Sequence, residues 1–184
     1  ADHSAMKHVV GPRKEIGQKS IFNVLGPLTN PAAARRQLMG VYDKKWMLPI
    51  AEVLKELGSE HLFIVHSHDG LDEISIASPT SVVEMKQGKI SEFEICPEDF
   101  GFKTSSLDAL EVSSPEQSLE IAKLALRGEQ EEASAMVAMT AGAALYISDI
   151  ADSLDSGVEL AKDCIKEGGG IKKLNQLVEF STKL

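Results

Sequence analysis

Eight consecutive residues hold most of the chemistry this sequence offers: His66-Ser67-His68-Asp69-Gly70-Leu71-Asp72-Glu73. Three carboxylates and two imidazoles fall within them, directly at the end of the apolar run His61-Leu62-Phe63-Ile64-Val65-His66. That run has the composition of a strand buried on both sheet faces, and in open α/β sheets ligands bind at the carboxyl ends of the strands. Neighbours in a regular strand point to opposite faces, so Asp72 and Glu73 can serve one site only if the chain turns, as Asp69-Gly70 suggests. Hard oxygen donors without a Cys/His cage suit Mg²⁺, which takes one or two carboxylates together with the phosphates of a substrate. On spacing alone, an exposed turn carrying an acidic pair is the commoner outcome.

Other reactive residue types are sparser. Arg13 follows the Gly11-Pro12 break, and its planar fork suits a carboxylate or phosphate bidentately, although a plain surface arginine reads equally from sequence. His3 and His8 are five apart and lack the i, i+4 spacing of a helical metal pair. Gly168-Gly169-Gly170 has no following Lys-Ser or Lys-Thr, so it reads as a helix stop and joint rather than a phosphate loop. Met136 and Met139 read as core filler. Cys96 and Cys164 form no ligand cluster and read as structural.

The elements that must position the acidic cluster follow from periodicity. Gln37–Tyr42 reads as a strand, Trp46–Leu57 as an amphipathic helix closed by Gly58, and His61–His66 as a second strand, which together make a right-handed βαβ unit. Three further strand-like runs follow, Glu73–Ala77, Ser81–Lys86 and Lys89–Ile95, with Gln87-Gly88 as a two-residue hairpin turn. Helices are expected from Ser114-Pro115 onward, over Glu129–Ile147, over Asp155–Lys166 and over Ile171–Phe180. Before all of these, Gly11-Pro12, Gly26-Pro27 and Asn30-Pro31 break residues 1–34 into short helices and turns.

Composition narrows the function classes. At 184 residues, 43% hydrophobic and 26% charged, the chain has a folded globular profile with room for one core. Its richest apolar stretch, Ala138–Ile147, is half the length of a membrane span, and no secretory signal is visible, so a cytoplasmic protein is expected. A net charge of −9 argues against nucleic acid. The charge is uneven: residues 1–36 carry six basic side chains against two acidic ones, a net of +4, which leaves −13 in the remainder. A locally basic segment on an acidic protein can draw in small anions.

Several stretches together resemble one family. His3-Ser4-Ala5-Met6-Lys7, Pro12-Arg13-Lys14-Glu15-Ile16-Gly17 and Ile21-Phe22-Asn23-Val24-Leu25-Gly26-Pro27-Leu28-Thr29-Asn30-Pro31 look like the anthranilate phosphoribosyltransferase pattern. Asp69-Gly70-Leu71-Asp72-Glu73-Ile74-Ser75 is similar to that family's metal-binding motif, and Pro97–Gly101 and Ala141–Tyr146 extend the likeness along essentially the whole chain. The resemblance implies an α/β fold with a mixed, mainly parallel sheet flanked by helices, as in nucleoside phosphorylases and phosphoribosyltransferases, plus a small helical segment. Residues 1–34 would belong to the helical domain and residues 35–184 to the C-terminal part of the α/β domain. The implied reaction moves phosphoribosyl from phosphoribosyl pyrophosphate to the amine of anthranilate and releases pyrophosphate, in tryptophan biosynthesis. By the same resemblance Asp72 and Glu73 would hold Mg²⁺, Arg13 would clamp the anthranilate carboxylate, and His3 with Gly26 and Pro27 would line the acceptor pocket. Positioning and electrostatics would carry the reaction, with no assigned base, in an enzyme that is a homodimer at full length.

The sequence departs from the family in two respects. The family's glycine-rich and Lys-His-Gly-Asn motifs for phosphoribosyl pyrophosphate lie upstream of everything here, so an incomplete fold with an uncovered apolar sheet edge, inactive alone, is expected. Thr140 replaces an expected asparagine, and Ser67 a common glycine. Two alternatives stand beside this reading: a non-catalytic binding module, and a relative of the pyrimidine-nucleoside phosphorylases.

Overall fold

The structure is a computed structural model that describes residues 32–183 together with Glu15, Leu28 and Asn30. The short helices expected before residue 32, and with them His3, Arg13, Gly26 and Pro27, lie outside the described residues.

Strand β1, Arg36–Gly40, runs parallel to β2, His61–Ser67, with Arg36 opposite His61 and Gly40 opposite Val65. The crossover between them begins where the Asp43 carboxylate accepts the Lys45 N–H at 3.1 Å and caps a 3₁₀ turn, Lys44–Trp46. Helix α1, Met47–Glu56, follows and buries Met47, Ile50, Ala51 and Leu54, the i, i+3, i+4, i+7 stripe of a helix lying on a sheet. Gly58, at φ +86°, then turns the chain into β2.

Strand β3, Thr80–Lys86, is antiparallel to β2, and β4, Lys89–Ile95, is antiparallel to β3, so the described sheet has the order β1-β2-β3-β4. The β3–β4 turn is the expected Gln87-Gly88, and both residues have positive φ, +51° and +76°, as a type I′ hairpin requires. The sheet is mixed, but the parallel share is smaller than expected: one of the three described pairings is parallel. The return of residues 68–79 lays β3 back against β2 and the tight 87–88 turn lays β4 back against β3, whereas only β1–β2 has a helical crossover. β1 is an edge strand of the described sheet, with β2 as its partner.

The two faces of β2 explain its continuous apolar run. Leu62 and Ile64 pack with Met39, Val83 and Met85 beneath α1. Phe63 and Val65 pack on the other face with Ile74, Val82, Met139, Ala143 and Ile147. That second face is covered by α3 (Glu131–Ile147), with Val158 of α4 (Leu154–Lys166) in the same cluster, while α2 (Pro115–Arg127) packs on α3 and α5 (Gly169–Ser181) packs on α2 and α4. Ser114, at the expected Ser114-Pro115 start, caps α2 by accepting from the Gln117 N–H, and Ser153 caps α4 by accepting from the Ser156 N–H. Helices α3 and α4 cross backbone to backbone. A Cβ on Gly142 would lie 2.5 Å from the Val158 nitrogen, and one on Gly157 would lie 2.3 Å from the Gly142 carbonyl oxygen, so neither position has room for a larger residue. No helix among the described residues is long and apolar enough to cross a membrane.

One sequence expectation fails in the region that matters most. Glu73–Ala77 is not a strand. Ile74, Ser75 and Ile76 are all buried there, but Ser75 N–H donates to the Thr80 hydroxyl and Ala77 N–H to the Ser75 hydroxyl, not to a neighbouring strand. Side chains take the Ser75 and Ala77 N–H groups of this buried loop, and the Ser105 N–H donates to the Ile76 carbonyl at 3.1 Å.

Candidate functional site

The parallel strands β1 and β2 end at the same edge of the sheet, and the acidic segment lies across those ends. The ladder continues one step past β1, with Val41 N–H on the Val65 carbonyl at 3.0 Å. At the same level the His66 ring donates from Nδ1 to the Val41 carbonyl at 2.8 Å, which ties the end of β2 to the end of β1. Beyond Ser67 the chain makes a tight loop: Gly70 N–H donates to the Ser67 carbonyl and Ser67 N–H to the Leu71 carbonyl, with Gly70 at φ +93°. Only glycine adopts that conformation without strain.

Asp72 and Glu73 follow this loop, and both face solvent. Their backbone is set by β1, because Gly40 packs so closely that a Cβ there would stand 1.6 Å from the Asp72 carbonyl oxygen. Neither carboxylate has a hydrogen-bond or ion-pair partner among the described residues. Partial desolvation pushes the exposed Glu73 carboxyl above the usual carboxylate range, and the neighbouring Asp72 charge pushes it further. The described residues hold no group of three or more His, Cys, Asp or Glu side chains around a common point. Two adjacent, unpaired carboxylates that repel one another fit Mg²⁺ of the kind that completes its shell with water and substrate phosphates.

The sign of the Glu73 effect yields a test. A carboxyl whose midpoint is raised by folding favours the fold while protonated, and that stability is lost progressively as pH rises from the unfolded midpoint through the folded one. Asp72→Asn is expected to move the Glu73 midpoint down toward its ordinary value, read by carboxyl ¹³C NMR. An unmoved midpoint would assign the shift to burial alone.

The remaining members of the segment have other partners. His68 Nε2 donates to Glu94 Oε1 at 2.8 Å and lies 3.2 Å from Ser81 Oγ. Both partners meet the same ring nitrogen, so this is a clamp from the loop to β3 and β4 and not a Ser-His-acid relay, which needs the acid on the opposite nitrogen. Asp69 faces back into its own loop, with Oδ2 accepting from Ser75 Oγ at 2.6 Å and Oδ1 from the Leu71 N–H at 3.1 Å. Sequence reading grouped all three carboxylates together; the Asp-Gly turn and the serine six residues on were the signals that separate Asp69 from the pair.

The bland readings hold elsewhere. Met139 is buried in the core and Met136 packs against it. Gly168, at φ +73°, caps α5, while a Cβ on Gly169 would stand 2.6 Å from Cys164 Sγ and one on Gly170 2.8 Å from Leu126 Cδ2. These glycines let α5 pack closely on its neighbours. Burial and the charges of Asp99, Glu98 and Glu94 push the Cys96 thiol up, away from the thiolate a nucleophile needs.

Comparison with known proteins gives one consistent result. Residues 1–171 match the family described as glycosyl transferase family, a/b domain. The chain is similar to the anthranilate phosphoribosyltransferase of Marinomonas sp. (strain MWYL1), at 54% identity over 97% of this chain and 52% of that protein. Among solved structures it is similar to anthranilate phosphoribosyltransferase from Thermus thermophilus, with a TM-score of 0.87 at 37% identity, covering 97% of this chain and 53% of that one. It is also similar to the Saccharomyces cerevisiae enzyme in complex with PRPP and Mg, with a TM-score of 0.86 at 26% identity, covering 99% and 53%. The chain therefore spans about half the length of the relatives it matches.

Proposed function

Since the chain belongs to the glycosyl transferase family, a/b domain, we propose that it is the acceptor-binding and metal-binding half of an anthranilate phosphoribosyltransferase. The activity is transfer of phosphoribosyl from phosphoribosyl pyrophosphate to the anthranilate amine with release of pyrophosphate, a step of tryptophan biosynthesis. The observation that carries this reading is the solvent-facing Asp72–Glu73 pair, without a hydrogen-bond or ion-pair partner among the described residues, at the carboxyl ends of the two parallel strands. These two carboxylates would hold Mg²⁺. Bound there, Mg²⁺ would offset the negative charge that gathers on pyrophosphate as it leaves.

The other roles extend the same reading. Arg13 takes the anthranilate carboxylate in a bidentate grip and so aims the amine at the sugar. His3, Gly26 and Pro27 line the acceptor's pocket. Residues 1–34 belong to a small helical domain and residues 35–184 to the α/β domain, in a cytoplasmic enzyme that is a homodimer at full length and needs neither nucleic acid nor membrane. The 184 residues alone are inactive, because the phosphoribosyl pyrophosphate motifs of the family are not among them.

The test is transfer itself. A full-length protein containing this chain is expected to consume anthranilate fluorescence when given phosphoribosyl pyrophosphate and Mg²⁺. Unchanged fluorescence in a folded sample overturns the reading, and phosphorolysis of thymidine by that sample would favour the nucleoside phosphorylase alternative. In the same protein Arg13→Ala is expected to raise KM for anthranilate roughly 10- to 100-fold, the worth of a charge-assisted pair, and to leave pyrophosphate affinity unchanged. Equal loss of both would remove Arg13 from the acceptor site.

A further inference from the structure

We propose that Asp69 is a positioning residue for the Asp72–Glu73 pair, acting through the buried hydroxyl of Ser75 and not as a ligand. The inference rests on the reading of Asp72 and Glu73 as the cation's carboxylates. The two residues of the pair lie between the two ends of one side-chain strap. At its near end Asp69 accepts from Ser75 Oγ at 2.6 Å and from the Leu71 N–H at 3.1 Å, while its own N–H donates to Ser78 Oγ at 3.1 Å. At the far end Ser75 is fully buried. Its hydroxyl accepts the Ala77 N–H at 2.9 Å, and its N–H donates to Thr80 Oγ1 at 3.2 Å, on the first residue of β3.

Ser75 has a single hydroxyl proton, and the short contact commits it to the Asp69 carboxylate. Residues 70–74 are therefore closed into a loop by a charge-assisted bond whose buried end is anchored to β3, with Ile74 and Ile76 in the core on either side of the anchor. Burial alone would push the Asp69 carboxyl up, but the hydrogen bonds from Ser75, Leu71, Ser67 and Ser78 carry it below the usual range, so it stays ionised and the bond stays charge-assisted at neutral pH. Both of its oxygens have donors from its own loop. Asp72 and Glu73 have none among the described residues, which divides the three carboxylates into one that shapes the site and two that face outward.

The experiment titrates Mn²⁺ with pyrophosphate into the full chain, read by electron paramagnetic resonance, with thermal melting recorded for each variant. Asp69→Ala and Ser75→Ala are each expected to weaken Mn²⁺ about tenfold, as loss of an outer-shell partner does. The double variant should weaken Mn²⁺ by less than the product of the two single losses, because the Asp69–Ser75 bond that joins the two residues is broken by either change. Asp69→Asn keeps an acceptor oxygen and loses the charge, so it should weaken Mn²⁺ clearly less than Asp69→Ala. Equal losses for Asn and Ala would make Asp69 a ligand and overturn the proposal. Lowered melting with unchanged Mn²⁺ affinity would overturn it too, leaving Asp69 a purely structural role. Asp72→Asn with Glu73→Gln is the control: if wild-type binding survives that pair of changes, or is absent from the start, the reading of the pair fails, and the proposal with it.

Discussion

Replacing Asp72 by Asn and Glu73 by Gln together is expected to cut Mg²⁺-dependent phosphoribosyl transfer by roughly 10²- to 10³-fold, the range seen when one preorganised electrostatic group is removed from a reacting centre. The changes preserve shape and remove two charges. Neither side chain has a hydrogen-bond or ion-pair partner among the described residues, so folding should be affected by no more than about 0.5 kcal/mol, the usual range for surface substitutions. Relief of the repulsion that raises Glu73 should, if anything, stabilise the fold slightly. The defect should therefore fall on catalysis with melting unchanged, measured as turnover across a Mg²⁺ series. A double variant with full Mg²⁺-dependent turnover would show that the pair is an ordinary acidic turn.

Gly40→Ala is expected to cost nearly as much without touching a charge. The new methyl would stand 1.6 Å from the Asp72 carbonyl oxygen and 2.5 Å from its carbonyl carbon. Both are backbone atoms and cannot rotate away, so either the loop is displaced or β1 retreats from it. A displacement of about 1 Å at a positioning element can cost on the order of 10²-fold in rate. Turnover in the full-length protein should fall by about that factor, with a higher Mg²⁺ requirement and a lower melting temperature. Normal Mg²⁺ dependence in this variant would mean that β1 does not set the position of the acidic loop.

The strands, helices and turns of the scaffold were legible because their signals are local. The continuous apolar run of β2, the Gln87-Gly88 turn and the Ser114-Pro115 start of α2 each need only a few neighbouring residues to be read, and the boundaries shift by one or two positions. What sequence could not supply was contact between segments distant in the chain. Ile74, Ser75 and Ile76 alternate like a strand, yet the partners of that backbone are the Thr80 hydroxyl, Ser75's own hydroxyl and the Ser105 N–H, and nothing in a period of two distinguishes a ladder from a side-chain strap. Gly40 is a lone glycine at a strand end, and its function depends on a carbonyl 32 positions later. The small-residue face of α3 was visible in sequence, but its opposite wall, Gly157 and Val158, appears only once the helices cross. The pairing of Asp72 with Glu73 was read from spacing and strengthened by family resemblance, and the lack of a side-chain partner for either among the described residues came from the structure.

The central claim is that Asp72 and Glu73 hold the divalent cation on pyrophosphate. Crystals of the chain grown with Mn²⁺ and pyrophosphate test it most directly, by anomalous scattering at the manganese edge. An anomalous peak within coordination distance of a carboxylate oxygen of Asp72 or Glu73, shared with a pyrophosphate oxygen, is the predicted result. Ordered pyrophosphate whose manganese lies away from both carboxylates would contradict it.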